Sequence, residues 1–249
     1  MHLTIASFFR SPAFRTFWDS CLDTFFPVFC LGCGAYGTAL CDHCLQIFPR
    51  RLEQRCPTCV RNTTPRGEVC FDCVGKSALD GLFAGSIYRF PLVSHTLHTF
   101  KYRFIAPLAS SLGTWLAERV QETNLPLPDA IIPVPLHPRR LRFRGFNQSL
   151  LIAEVLADTL TPGLDTLVLA NVLLRTRYTK PQMKTQSKEE RQGNLTGAFT
   201  IAPEYTSLIQ DKSIWLIDDV STTGTTLEEC ALVLKKSGAK SVFGIVLAR

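Results

Sequence analysis

From about Asp80 onward, apolar and polar residues follow two alternating rhythms. "LFAGSIYRF" changes character at every second residue, the period of a strand, and "PLVSHTLHTFKYRF" then shifts to helical spacing. "IAPLASSLGTWLAERVQE" predicts an amphipathic helix with Leu108, Leu112, Trp115 and Leu116 on one face. "DAIIPVPL" is a short apolar run bounded by prolines, as in a buried strand. "NQSLLIAEVLADTL" is helical in spacing and "LVLANVLLRTR" strand-like, whereas Tyr178 to Asn194 is polar with little periodicity. "SIWLIDDV" predicts a strand, "TTLEECALVLKKSGA" a helix ended by Gly238, and "SVFGIVLAR" a closing strand. Strands alternating with helices of these lengths predict an α/β domain with a mostly parallel sheet.

Upstream the pattern is different. Phe14, Phe17, Trp18, Cys21, Leu22 and Phe25 share a helical face, so residues 1–28 are read as an amphipathic helix docked on the protein's own core, with membrane-surface binding as the alternative. Arg10, Arg15, Asp19 and Asp23 interrupt this stretch, which lacks the basic start and continuous apolar centre of a signal peptide. Residues 29–76 carry cysteine pairs among Gly, Pro and Arg. The expected organisation is thus a helix over 1–28, a cysteine module over 29–76 and an α/β domain over 80–249.

Composition adds limits to this picture. Of 249 residues 46% are hydrophobic and 19% charged, which fits a folded globular chain and excludes a disordered one. No run reaches the roughly 18 to 20 apolar residues of a membrane span, so no span and a cytoplasmic location are expected. A net charge of +6 permits a polyanionic partner without requiring one.

Eight of the ten cysteines fall into four Cys-x-x-Cys pairs: Cys30 and Cys33, Cys41 and Cys44, Cys56 and Cys59, Cys70 and Cys73. Cys21 and Cys230 sit on apolar helical faces, as small core residues do. Each pair can grip one ion from a tight turn, and two pairs complete a tetrahedral thiolate shell, so about two structural Zn²⁺ per chain are expected in a reducing compartment. Pairing in sequence order and cross-pairing of the four knuckles both fit the spacing. Arg50, Arg51, Arg55, Arg61 and Arg66 lie between the knuckles, either as a solvated surface or as a contact to nucleic acid.

The chemistry concentrates in "IWLIDDVSTTGTTL". Asp218 and Asp219 emerge where open α/β sheets bind ligands, at the carboxyl end of a strand. Ser221, Thr222, Thr223, Gly224, Thr225 and Thr226 lead into a helix, offering hydroxyls, backbone N–H groups and a helix N-terminus to a phosphate. Paired carboxylates beside that seat suit the vicinal hydroxyls of a ribose. Walker A and GxGxxG patterns are absent.

"LIDDVSTTGTTL" resembles the loop of type I phosphoribosyltransferases that binds phosphoribosyl pyrophosphate (PRPP). With "HTFKYR", "IPVPLHPRRLRFRGFNQS", "RTRYTKPQMKTQSKEERQGNLTGAF" and the cysteine pairs, the chain more narrowly resembles the ComF family of competence-associated proteins, which join an N-terminal zinc ribbon to a phosphoribosyltransferase-like domain. The resemblance implies that Asp218 and Asp219 hold the PRPP ribose. It implies that Thr222, Thr223, Gly224, Thr225 and Thr226 bind the 5'-phosphate, and that Lys101, Leu136, His137, Arg139, Arg140 and Arg144 meet pyrophosphate. Tyr178 to Gln192 would be a flap, with Gln182, Arg191 and Asn194, like Asn147 and Gln148, at positions typical of the family. Phe104 replaces a frequent glycine, and Ser221 a commoner apolar or aromatic residue.

The basic run "HPRRLRFRG" fits a pyrophosphate grip, a solvated face or a DNA path. Two functions follow from the resemblance. One is transfer of a phosphoribosyl group from PRPP with Mg²⁺. The other is binding or assembly in natural transformation, where the protein helps bring single-stranded DNA into the cytoplasm with a helicase-like ATPase as partner. Nucleobase salvage is the third reading.

Overall fold

The computed structural model describes residues 27–102, 107–162, 167–178 and 196–249. The expected N-terminal helix, apart from its last two residues, and Phe104, Gln182, Arg191 and Asn194 lie outside the described residues. Two compact units divide the chain, Met1–Ile47 and Phe48–Arg249.

In the first unit, Gly34 and Gly37 take the left-handed backbone, at φ 74° and 93°, that tight knuckle turns demand. A short helix α1 (Asp42–Gln46) follows Cys41.

The second unit opens with two short antiparallel strands, β1 (Gln54–Arg55) and β2 (Thr63–Thr64). The main chain of α/β elements then runs β3 (Gly81–Ser86), α2 (Pro91–Tyr102), α3 (Leu108–Gln121), β4 (Ala130–Pro133), α4 (Pro138–Arg144) and α5 (Gln148–Leu160). It continues through β5 (Leu167–Val168), β6 (Leu173–Arg175), β7 (Phe199–Ile201), α6 (Thr206–Ile209), β8 (Ser213–Val220), α7 (Thr225–Lys236) and β9 (Ser241–Ala248). Five strands form one sheet in the order β3-β9-β8-β4-β5, every neighbour parallel. β8 lies at the centre, covered on both faces. Ile214, Leu216, Val242, Leu234 and Cys230 are fully buried, and Cys230 is the core residue its helical face predicts.

The predicted face of α3 is buried in full: Leu108, Leu112 and Leu116 are 0% exposed and Trp115 5%. Gly113 lets α3 approach α5 closely, since a Cβ there would stand 2.6 Å from the Val155 side chain. β3 does not alternate as its sequence suggests; all six residues are buried. Its outer edge is covered by the cysteine segment. Leu82 N–H donates to the Gly67 carbonyl at 2.8 Å, Arg51 N–H to Gly85 at 3.0 Å, and Val69 N–H to Asp80 at 2.9 Å. The Gln54 amide clasps both backbone groups of Ala84. An edge that would be open to strand addition is thereby closed.

"LVLANVLLRTR" does not form one strand. β5 joins the main sheet, the chain turns at Ala170–Asn171, and β6 pairs antiparallel with β7 in a separate two-stranded sheet. The basic run after His137 is a helix, α4. The His137 ring accepts from Arg139 N–H at its start, Pro138 fits the first turn, and Gly145 at φ 74° stops it. Among the described residues no helix is long and apolar enough to cross a membrane.

Candidate functional site

β4 and β8 run side by side and end together at a cleft of about 160 Å³, whose lining includes Lys101, Leu136, Arg140, Arg144, Ser149, Arg175, Asp218 and Asp219. The two aspartates have different surroundings. Asp219 is 6% exposed and its Oδ1 meets Lys101 Nζ, at the end of α2, at 2.9 Å. Asp218 keeps a partial opening to the cleft but is crowded by protein. Its Oδ1 accepts from Ser149 Oγ at 3.0 Å and from Asp219 N–H at 2.8 Å.

Burial, and then the Asp219 charge, push Asp218 up to about 7 despite Lys101 and these donors. Burial pulls Lys101 down, yet the carboxylates of Asp219 and Asp218 outweigh it and hold the ammonium above its ordinary value. Lys101 thus stays charged between two carboxyl groups that share the same low-dielectric surroundings.

Cations also crowd the cleft. Burial and then Arg144 lower Arg140, and burial and then Arg140 lower Arg175. Like charges held this close are disfavoured until an anion enters. Of the residues expected at pyrophosphate, the fold brings Lys101, Leu136, Arg140 and Arg144 into the cleft with the aspartates. His137 caps α4 and packs edge-on against Tyr178, ring centroids 5.1 Å apart, and the Arg139 guanidinium lies 5.5 Å from the same ring. Neither lines the cleft.

Asn147 caps α5, accepting from Ser149 N–H at 3.2 Å while its amide donates to Val134 C=O at 3.1 Å; this fixes the start of α5 against the end of β4. Gln148 accepts from Arg144 at 3.1 Å and is 1% exposed.

The loop from Ser221 to Gly224 wraps a small concavity of about 40 Å³ whose rim includes Thr222, Thr223, Gly224, Thr225 and Thr226. Gly224 has φ 81°, a backbone that side-chain-bearing residues rarely adopt, and precedes α7, so the helix's first N–H groups face the concavity's rim. Thr223 and Thr225 hydroxyls lie 2.9 Å apart. Ser221 Oγ is buried without a hydrogen-bond partner. The concavity thus presents backbone and hydroxyl donors of the kind that suit an anion.

Ser149 and Arg175 were not among the residues the sequence singled out. Ser149 adjoins the Asn147-Gln148 motif, which was the available signal. Arg175 opens the stretch "RTRYTKPQMKTQSKEERQGNLTGAF" that carries the resemblance, but its place at the cleft follows from the strand β6 on which it lies.

The cysteines segregate in sequence order. Cys30, Cys33, Cys41 and Cys44 have all their Sγ atoms within 4.8 Å of one another, as do Cys56, Cys59, Cys70 and Cys73. Cross-pairing is thereby ruled out. Closest Sγ separations of 3.6 Å in the first cluster and 3.8 Å in the second match the edge of about 3.8 Å for a tetrahedron with Zn–S near 2.3 Å. They are far from the roughly 2.05 Å of a disulfide. Burial raises Cys56, but backbone N–H donors prevail and bring it to about 6, while burial pushes Cys73 up to about 12. Four thiolates coexist in such a cluster only around a dication, so both sets fit structural zinc.

Residues 147–249 match the family model described as the phosphoribosyl transferase domain, which takes in α5, the aspartates and the threonine loop. Sheet, cleft and loop together define a type I phosphoribosyltransferase fold.

The chain is 32% identical over 208 residues to DNA utilization protein YhgH of Salmonella typhi, covering 82% of this chain and 87% of that one. Competence protein F of Haemophilus influenzae is 39% identical over 126 residues, 51% of this chain and 52% of that protein. Competence protein ComFC of Bacillus subtilis is 28% identical over 217 residues, 84% of each. The chain belongs to this ComF family. Among solved structures it is similar to the glutamine PRPP amidotransferase from B. subtilis, at 20% identity and TM-score 0.37, over 57% of this chain and 26% of that one.

Proposed function

We propose that the cleft binds PRPP and that the protein works, as a phosphoribosyltransferase-type protein, in handling incoming single-stranded DNA during natural transformation. The observation that carries the binding reading is a cleft lined by two adjacent carboxylates and four cations that adjoins the threonine-glycine concavity, the two sharing Asp218, Val220 and Thr226. Ribose hydroxyls would donate to Asp218 and Asp219. The 5'-phosphate would sit on Thr222 to Thr226, and pyrophosphate would meet Lys101, Arg140, Arg144 and Arg175. Mg²⁺ would arrive with the pyrophosphate and neutralise part of its charge. In transfer chemistry these residues supply positioning and leaving-group stabilisation, with no covalent intermediate.

The relatives' names, competence protein and DNA utilization protein, support the cellular role. A DNA-translocating helicase-like ATPase is the partner proposed from the family, and the two cysteine clusters are proposed to carry two zinc ions. A deletion strain complemented with wild type or with Asp218→Asn/Asp219→Asn tests the role. The expected result is a transformation frequency restored by wild type alone, with normal growth on minimal medium in both. A purine or pyrimidine requirement in the deletion strain would contradict it.

A further inference from the structure

A second cavity, of about 200 Å³, lies between the segment around the second cysteine cluster and the back of the threonine loop. Pro57, Thr58 and Leu79 form one side, and Thr223, Thr225 and Glu229 the other. Glu229 is 8% exposed, yet among the described residues its carboxylate has neither a hydrogen bond nor an ion pair. Its neighbour Glu228 is fully engaged, accepting from Ser77 Oγ and Ala78 N–H, each at 2.6 Å. Thr58 Oγ1 is buried without a partner in the same cavity. Lys76 stands at the lining but donates to the Asp72 carbonyl at 2.8 Å and forms no bridge to Glu229.

Glu229 is buried as a residue, yet its carboxylate oxygens, unlike Thr58 Oγ1, are not sealed off by protein. A carboxylate held this way without a protein partner is completed by a cationic ligand. The chemistry here is specific: an anionic acceptor flanked by Pro57 and Leu79. Phosphates are repelled by Glu228 and Glu229. We propose that this cavity is a separate binding site for a small organic cation of the amine or guanidine type, seated on Glu229.

Its position gives the site a consequence. Thr223, Gly224 and Thr225 line both this cavity and the phosphate seat, and Glu229 lies one turn into the helix whose N-terminus forms that seat. A cation on Glu229 removes a negative charge from behind an anion site, so cation and phosphate ligand bind with positive coupling. This coupling, unlike the cation site itself, rests on the PRPP reading.

Calorimetry with agmatine and putrescine on the full chain, without PRPP, is the test. Wild type is expected to bind agmatine, and Glu229→Gln about tenfold or more weakly. Unliganded Glu229→Gln is expected to melt about 3 °C higher than wild type, because it removes a buried charge. Equal agmatine affinity in the two proteins would overturn the site, as would a lower melting temperature for Glu229→Gln. Agmatine binding that emerges only in Lys76→Ala would mean that Lys76 already occupies the carboxylate, which also overturns it. Glu229-dependent stabilisation by Mg²⁺ alone would make this a metal site and refute the organic cation. A separate arm adds agmatine during PRPP titration and expects tighter PRPP binding in wild type only. If PRPP does not bind at all, the agmatine result stands independently.

Discussion

At Asp218, Asp219 and Lys101, one residue's charge sets the state of the next. Removing Lys101 leaves Asp219 as an uncompensated buried charge, so Lys101→Met is expected to lose about 3 kcal/mol of stability. Adding Asp219→Asn should restore much of it, and a double-mutant cycle by urea denaturation measures the coupling. Additive losses would mean that the 2.9 Å contact contributes nothing. Asp218 behaves differently. Its folded value near 7 lies above that of an unfolded carboxylate, so the fold retains a proton that the unfolded chain has already released. Stability therefore falls as pH rises from about 4 towards about 7 and levels off above it. Asp218→Asn lacks this slope. Its stability relative to wild type is expected to improve across that window, as measured by denaturation at a series of pH values. A constant difference would show that folding does not raise the Asp218 carboxyl above its unfolded value.

At the level of elements, α7 and β3 decide how firmly the cleft is held. α7 is fixed by Glu228, which grips Ser77 and Ala78, and β3 is closed by the segment containing Gly67. Gly67 has φ 90°, and a Cβ there would meet the Leu82 carbonyl oxygen. Gly67→Ala is expected to cost about 2 kcal/mol through strain and the displaced edge contact, read from a urea midpoint. An unchanged midpoint would mean the edge cover is not part of the folded unit. The strands and helices that form the centre were legible because a continuous apolar run and a 3.6 period are properties of contiguous residues, as in "SIWLIDDV" and the α3 face. β3 was misread in its pattern because its outer edge is covered by residues 49–69, a long-range fact. The division of "LVLANVLLRTR" escaped for the same reason, whereas the helix at Pro138 had local signals in His137, Pro138 and Gly145. In the cleft, Asp218, Asp219 and the threonine loop form one continuous motif and could be read directly. Ser149 and Arg175 reach it only through the packing of α5 and the β6–β7 pairing.

Across the whole molecule, the two cysteine clusters belong to different compact units, the first within Met1–Ile47 and the second within Phe48–Arg249. The second is continuous with the segment that covers β3, so metal loss there should reach the sheet. Cys56→Ser is expected to lower the melting temperature of the phosphoribosyltransferase unit by about 6 °C or more, while Cys30→Ser leaves that transition in place. Equal effects in calorimetric scans would refute this separation. Metal analysis should give about two Zn per chain. The most direct test of the central claim is calorimetric titration of PRPP with Mg²⁺ into wild type and Asp218→Asn/Asp219→Asn. Binding to wild type and loss in the folded double variant are predicted; equal affinity, or no binding to wild type, would contradict the assignment of this cleft to a ribose phosphate.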